Sequence, residues 1–216
     1  MPGRRSFLCL LFLTGLPVGA ADAVTSSLVL TDLAGSAEWP PALQKVITYA
    51  LGLTSRKLSY QFASADPAAG GMDCSGTIYH TLQHAGFKDL PRSSNSMHGW
   101  VKDAKLLVSV TGTPEVGDPV LAKLRPGDLL FWTGTYDTGD AAATISHVML
   151  YLGKTVDGGR PVMFGASNGR PYRGKSQNGV SVFDFKMPKA DAKARFVGYG
   201  PIPGLDVGKV AAVPPG

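Results

Sequence analysis

The sequence predicts an α+β fold in which helices near the N-terminus pack on an antiparallel sheet of about six strands. Two segments before residue 90 carry apolar residues at helical spacing, whereas the chain after residue 105 consists of short apolar runs separated by turn residues. The 27 glycines and 16 prolines favour many turns. With 216 residues, 44% hydrophobic and 17% charged, the chain is long enough for one packed domain and is not expected to be disordered.

The individual elements follow from local signals. Helices are predicted over residues 41–51, where Pro40 and Pro41 favour a first turn, and from Asp73 or Cys74 to the stop signal Gly86. Strands are predicted over residues 106–110, 129–132, 147–152, 162–167, 180–185 and 196–199. We divide the chain into a signal peptide (1–23), a flexible approach (24–37), one domain (38–200) and an extended tail (201–216).

The first 23 residues have the organisation of an export signal. Arg4 and Arg5 precede an apolar run over residues 7–16, and small residues at 18–20 or 21–23 offer a cleavage site. The apolar run is too short to cross a membrane as a helix. We therefore expect an exported protein in the periplasm, cell envelope or medium, with no integral membrane segment after the signal is removed. The paired arginines leave both the general secretory route and the twin-arginine route open.

One cysteine remains once the signal is removed, because Cys9 lies within it and Cys74 is the other. An oxidising compartment favours paired cysteines, so a single thiol suggests a chemical role. Asp73 is a good N-cap, which places Cys74 in the first turn of a helix. There the helix dipole and free N–H groups favour a thiolate and offer donors for an oxyanion. Ser75 and Gly76 are small enough for a substrate to approach the sulfur.

Two other interpretations of Cys74 compete with that of a nucleophile. Free cysteines are often buried fillers, but a filler needs neither the cap nor the small neighbours. A zinc site with His80 and His84 is the second alternative, which the lack of another nearby cysteine disfavours.

His147 is the best candidate for a general base. It opens the apolar strand predicted over residues 147–152, and it is the one of the four histidines that lies on a predicted strand. Catalytic cysteine and histidine residues are usually distant in sequence and adjacent in the fold. The sequence therefore predicts a Cys74–His147 pair.

At this point the residues resemble the NlpC family of cell-wall cysteine peptidases. Five features from residue 40 to 200 match in order: Tyr60 upstream, the sequence GMDCSG at 71–76, GF at 86–87 with LPRSS at 90–94, LRPGDLLF at 124–131 and SHVMLYLG at 146–153. The resemblance implies a papain-like fold and hydrolysis of an amide bond in peptidoglycan stem peptides, usually between γ-D-glutamate and a diamino acid. It also implies that Asp73, Ser75 and Arg92 hold the peptide and that Tyr60 points at the sulfur.

The sequence departs from this family at the third catalytic position. The family usually has a polar residue there, often histidine, whereas the alignment places Gly165 at that position. Ser167 would share the face of residue 165, and Asn168 follows it. We favour Asn168 as the orienting residue, as in Cys-His-Asn sites, with a backbone carbonyl or water as the remaining alternative. The insertions around 133–144 and 154–161 also depart from compact members.

The remaining expectations concern partners. We expect no cofactor, no metal, no nucleic-acid partner and a monomer. The basic residues Arg170, Arg173 and Lys175 are interpreted as a solvated surface cluster, with contact to an anionic substrate as the alternative. A wall-binding protein that has lost activity, and a cysteine hydrolase acting on another amide or an ester, stay open as alternatives.

Overall fold

The computed structural model describes residues 23–139, 144–208, 210 and 212. The predicted signal peptide, apart from Ala23, therefore lies outside the described residues. None of the helices in the described ranges has the length and apolar character needed to cross a membrane.

The helices lie before residue 105, at Pro41–Thr54 (α1), Cys74–Ala85 (α2) and Ser94–Asp103 (α3). Pro41 opens α1, which buries the face formed by Leu43, Val46, Ile47 and Ala50. Gly86 ends α2 in a left-handed conformation (φ 103°), which favours glycine. Both predicted helices are therefore present.

The sequence analysis did not predict α3. The sequence features that define α3 are few. Ser93 caps the helix by accepting the Ser96 N–H, and its buried apolar residues are Met97 and Val101, one turn apart. With ten residues and only one such pair, the apolar periodicity is too weak to stand out.

Six strands of the described chain form one antiparallel sheet, ordered β3-β8-β4-β5-β6-β7. Their bounds are Val108–Ser109 (β3), Asp128–Thr133 (β4), Ile145–Lys154 (β5), Pro161–Tyr172 (β6), Lys175–Asp184 (β7) and Arg195–Pro201 (β8). Each corresponds to a predicted strand, so the α+β fold with a six-stranded antiparallel sheet is confirmed, and it is consistent with a papain-like fold.

Two short strands, Ser59–Tyr60 (β1) and Gly71–Met72 (β2), form a separate parallel pair in which Tyr60 lies opposite Met72. Neither strand is among the elements predicted from the sequence, because two-residue strands carry no periodicity. Since β2 runs directly into Asp73 and Cys74, this pairing carries Tyr60 to the start of α2.

Apolar residues cover both faces of the sheet. Alternate strand residues face the helices and join their core, namely Leu129, Phe131, Val148, Leu150, Phe164 and Val182. Their neighbours form a second core on the opposite face, namely Leu130, Trp132, Met149, Tyr151, Met163 and Phe183. Sandwiched in this way, the central strands are almost entirely buried.

Both ends of the predicted domain differ from expectation. The segment 24–37 was predicted to be flexible, but the Ser26 N–H donates to Ser181 Oγ (2.8 Å) and Leu33 is only 1% exposed. At the other end, Ile202 and Leu205 are buried beyond the predicted boundary at residue 200. Apolar anchors and backbone pairing hold these segments to the domain.

Candidate active site

Asp73 fixes the start of α2 and with it the position of Cys74. The carboxylate of Asp73 accepts the Gly76 N–H in an N-cap arrangement, and Cys74 in the first turn is only 5% exposed. A Cβ at Gly76 would lie 2.0 Å from the carbonyl oxygen of Ser64. Glycine at this position therefore permits the loop after Tyr60 to approach the helix.

A polar network of Asp73, Ser75 and Arg92 borders the thiol. Arg92 donates to both carboxylate oxygens of Asp73, at 3.2 and 3.0 Å, and to Ser75 Oγ at 3.0 Å. Ser75 Oγ also donates to Asp73 (3.2 Å). The three residues for which the family resemblance implied peptide binding thus form one prepared group beside Cys74.

Tyr60 reaches the sulfur from β1. It lines the same cavity as Cys74, and the thiol is one of the groups that influence its hydroxyl. Burial raises the pKa of Tyr60, and the nearby Cys74 and Asp73 raise that pKa further. Tyr60 therefore remains a protonated donor.

Backbone groups also influence the thiol. The backbone N–H groups of Val148, Ser75 and Cys74 itself lower the pKa of the Cys74 thiol. Burial is the larger effect, however, and the net pKa is raised. Desolvation therefore opposes the effect of the helix N-terminus on the thiol.

His147 precedes Val148 in β5 and lines the cavity that adjoins the one beside Cys74. His147 is 6% exposed, lies opposite Trp132 of β4 and packs against the Trp132 ring at a centroid distance of 5.8 Å. Burial lowers the pKa of His147 well below its ordinary value, and the positive charge of Arg170 lowers it further. Its Nε2 has no hydrogen-bond partner within the described residues.

The usual place of an orienting group is filled by another side chain. A Cβ at Gly165 would lie 3.3 Å from Cε and Cγ of Met149, which belongs to the second core. Ser167 and Asn168 both line the cavity that His147 borders. Neither makes a hydrogen bond to His147 in the structure, so the role of Asn168 stays a prediction.

Two contacts hold β5 in position at the site. Ser94 of α3 is buried and donates to the carbonyl oxygen of Ile145 (2.9 Å). The N–H of Thr135 donates to Ser146 Oγ (3.0 Å), which ties the loop after β4 to the residue before His147.

Sequence reasoning missed the aromatic residues over the cleft. Tyr136 and Phe62 are exposed, and their rings meet edge to face at 6.2 Å. Tyr60 and Tyr136 line two adjoining cavities, one of about 290 Å³ beside Cys74 and one of about 640 Å³ beside His147. Because Tyr136 and Phe62 come from irregular loops, no sequence periodicity identifies them.

Arg170 is also placed differently from expectation. Its guanidinium lies 4.7 Å from the centre of the Trp132 ring and lines the cavity beside His147. Arg173, by contrast, is exposed and paired with Asp157. The predicted surface cluster is therefore divided between the cleft and the exterior.

His80 and His84 lie away from the thiol. His80 Nε2 hydrogen-bonds Tyr49 Oη (2.8 Å), and His84 stacks on the Tyr49 ring. Among the described residues, no group of three or more metal-binding side chains is found.

Comparison with known proteins identifies the family of the chain. The family model described as the NlpC/P60 family matches residues 56–178, more than half of the chain, including Tyr60, Cys74, Arg92 and His147. No curated protein matches the chain. The order of the motifs, the fold and this match together show that the chain belongs to the NlpC/P60 family, whose members' activity is that of cell-wall peptidases and amidases.

Proposed function

We propose that the protein is an exported cysteine hydrolase that cleaves an amide bond in peptidoglycan stem peptides, with Cys74 as nucleophile and His147 as base. The observation that carries this proposal is the environment of the thiol. Tyr60 lines the same cavity as the sulfur, the Val148 N–H stabilises the charged form of the thiol, and the Asp73–Ser75–Arg92 network lies directly beside it. A buried structural cysteine needs none of these groups.

The reaction begins from a neutral thiol and a neutral imidazole, because burial disfavours both charged forms. His147 accepts the Cys74 proton as the sulfur attacks the amide carbon, and the carbonyl electron pair moves to oxygen. The N–H groups at the start of α2 are the donors for this oxyanion.

The tetrahedral intermediate then collapses to a thioester. The C–N bond breaks, its electron pair takes the proton from His147, and the amine leaves. Water attacks the thioester with His147 again as base, which releases a carboxylic acid and restores the thiol. Every proton is carried by residues of this chain.

The substrate assignment rests on the family and on the polar network. The bond between γ-D-glutamate and a diamino acid is the one that the family resemblance implies. Asp73, Ser75 and Arg92 offer both a carboxylate and a cation for the amine and carboxylate groups of a stem peptide. Export follows from the signal predicted over residues 1–23.

The test is incubation of the purified protein with muropeptides and identification of products by mass spectrometry. We expect one amide bond to be cleaved by the native protein and by His84→Ala, which changes an exposed histidine of α2. Cys74→Ala and His147→Ala should yield no product. Cleavage by Cys74→Ala would exclude the mechanism.

A second candidate is a wall-binding protein of the same fold. It is favoured by the glycine at the position of the usual orienting group, since Gly165 offers no polar side chain and Met149 packs against it. Slow alkylation of Cys74 near neutral pH would not separate the two candidates, since burial raises its pKa in either case. Binding of muropeptides by the native protein without any turnover would favour this second function.

A further inference from the structure

The cavity beside His147 differs in charge from the cavity beside Cys74. Its volume is about 640 Å³, and it is lined by three cationic side chains, Arg170, Lys186 and Lys193. The carboxylate in its wall, Asp184, is 5% exposed and already interacts with Lys186 (3.6 Å) and the Arg173 N–H. The cavity therefore presents a net positive wall.

A β-bulge directs Arg170 into this cavity. Asn168 pairs with Asn178 and Pro171 with Ser176, so Gly169 and Arg170 together oppose the single residue Gln177. Gly169 adopts a left-handed conformation (φ 83°), as such bulges require. Before the bulge, even-numbered residues of β6 face the helices; after it, Arg170 lies over Trp132 on the opposite face.

The Arg170 guanidinium has no carboxylate partner among the described residues, whereas Arg92 and Arg173 each have one. It packs against the Trp132 ring, its charge lowers the pKa of His147, and a negative charge on Cys74 raises its own pKa. Burial lowers the pKa of Arg170 to about 10, so it is still a cation at neutral pH. A partly buried cation held over an aromatic ring beside a cavity is suited to an anion that the described residues do not supply.

The chemistry of the cleft indicates which part of a substrate meets this cation. His147 gives its proton to the departing amine, so the amine side of the scissile amide lies on the His147 side of the thiol. The network of Asp73, Ser75 and Arg92 borders the other cavity, which serves the acyl side.

We propose that Arg170 binds a carboxylate on the leaving-amine side of the scissile amide and selects substrates whose amine-side residue carries a free carboxylate. This inference rests on the proposed hydrolase function, because that function defines the two sides of the cleft. Planar, two-pronged hydrogen bonding by arginine suits a carboxylate and is lost when the carboxylate becomes an amide.

The test compares L-alanyl-γ-D-glutamyl-L-lysine with its C-terminal carboxamide, which differ only in the amine-side carboxylate. Binding is measured by calorimetry in a Cys74→Ala background, so that it does not depend on turnover. We expect the free acid to bind roughly tenfold or more tightly than the amide. Adding Arg170→Gln should abolish this difference by weakening the acid alone.

Arg173→Gln is the matched control, since it removes the same charge three residues away but outside the cavity, and it should keep the preference. Equal binding of acid and amide, a preference that survives Arg170→Gln, or binding of neither peptide would each overturn the inference. Turnover by the native protein decides the hydrolase function separately. An Arg170-dependent preference without cleavage would contradict only the hydrolase function. Cleavage without the preference would contradict only the proposed role of Arg170.

Discussion

The imidazole of His147 and the thiol of Cys74 are both shifted toward their neutral forms by burial. Both shifts oppose the ion pair that a helix N-terminus alone would favour. This difference from the sequence-based expectation arises from desolvation, which depends on how much protein covers the sulfur rather than on the local motif.

The pH dependence of turnover should report this state of His147. The imidazole must be unprotonated to act as base, so activity is lost as pH falls through its pKa. Because burial and Arg170 lower that pKa, we expect the acid limb of kcat/KM to lie below pH ~6.5, the ordinary histidine value. Arg170→Gln removes the nearby cation, so the pKa of His147 rises and the limb moves to higher pH.

The measurement is kcat/KM for peptide cleavage from about pH 4.5 to 8, with Arg173→Gln as the control that leaves the limb in place. A limb above the ordinary histidine value, or one that Arg170→Gln does not move, would contradict this account of the electrostatics.

Asn168 remains our proposed orienting residue, although it is exposed and makes no hydrogen bond to His147 in the structure. If it orients the imidazole when substrate is bound, Asn168→Ala should lower kcat by about tenfold with little change in KM. That loss is smaller than the ~10²–10⁴-fold contribution of a general base itself. Ser167→Ala, its neighbour in the same cavity, should have no such effect. A native kcat for Asn168→Ala would leave orientation to a backbone carbonyl or water.

At the scale of the element, the start of α2 depends on close approach by the loop that follows Tyr60. A Cβ at Gly76 would meet the backbone of Ser64, which cannot rotate away, whereas a Cβ at Gly99 in α3 would meet nothing within 4 Å. We expect Gly76→Ala to lower the free energy of unfolding by about 1–3 kcal/mol. Gly99→Ala should raise it by about 0.5–1 kcal/mol, since alanine is the better helix former.

Urea denaturation of the two variants checks this pair, because both make the same substitution inside a helix. Equal changes in the two unfolding free energies would mean that helix propensity alone decides, and that the Ser64 contact carries no cost.

The elements with strong apolar periodicity were predictable from the sequence. The positions that depend on contacts with a distant segment of the chain were not. The six sheet strands follow from apolar runs between turns, and Cys74 and His147 follow from their motifs. Arg170 was misplaced because its direction depends on a bulge defined by pairing with β7. Tyr136 was missed because its loop is held over the site by a Thr135–Ser146 contact that no spacing encodes.

At the scale of the whole molecule, the sheet separates two apolar cores, and the candidate site draws on both: Cys74 opens α2 on the first core, and His147 packs on Trp132 of the second. The first core joins the sheet to the helices; the second contains Trp132, on which His147 and Arg170 pack. The N-terminal segment adds a further clamp, since the Val24 backbone pairs with that of Asn178 in β7. Stability of the second core is therefore linked to the geometry of the site.

Asp128 is a buried carboxyl at the edge of this second core. It is 2% exposed, its Oδ2 accepts the Arg125 N–H (2.9 Å), and its Oδ1 has no hydrogen-bond partner among the described residues. Burial raises the pKa of Asp128 to about 7, and the amide and charge of Arg125 only partly offset that rise. In the unfolded chain the same carboxyl titrates near ~3.9.

The stability of the fold should therefore fall as pH rises toward 7. Between about pH 4 and 7 the unfolded chain has lost this proton while the folded protein keeps it, so unfolding is favoured by about 1 kcal/mol for each pH unit from this group.

Asp128→Asn stays neutral and keeps an acceptor for the Arg125 N–H. Urea unfolding at about pH 4.5, 5.5, 6.5 and 7.5 should show the native protein losing stability relative to Asp128→Asn across this window, with a constant difference above it. The exposed Asp137→Asn is the control for loss of one carboxylate. A stability difference between the native protein and Asp128→Asn that does not vary with pH would mean that Asp128 is ionised in the folded protein.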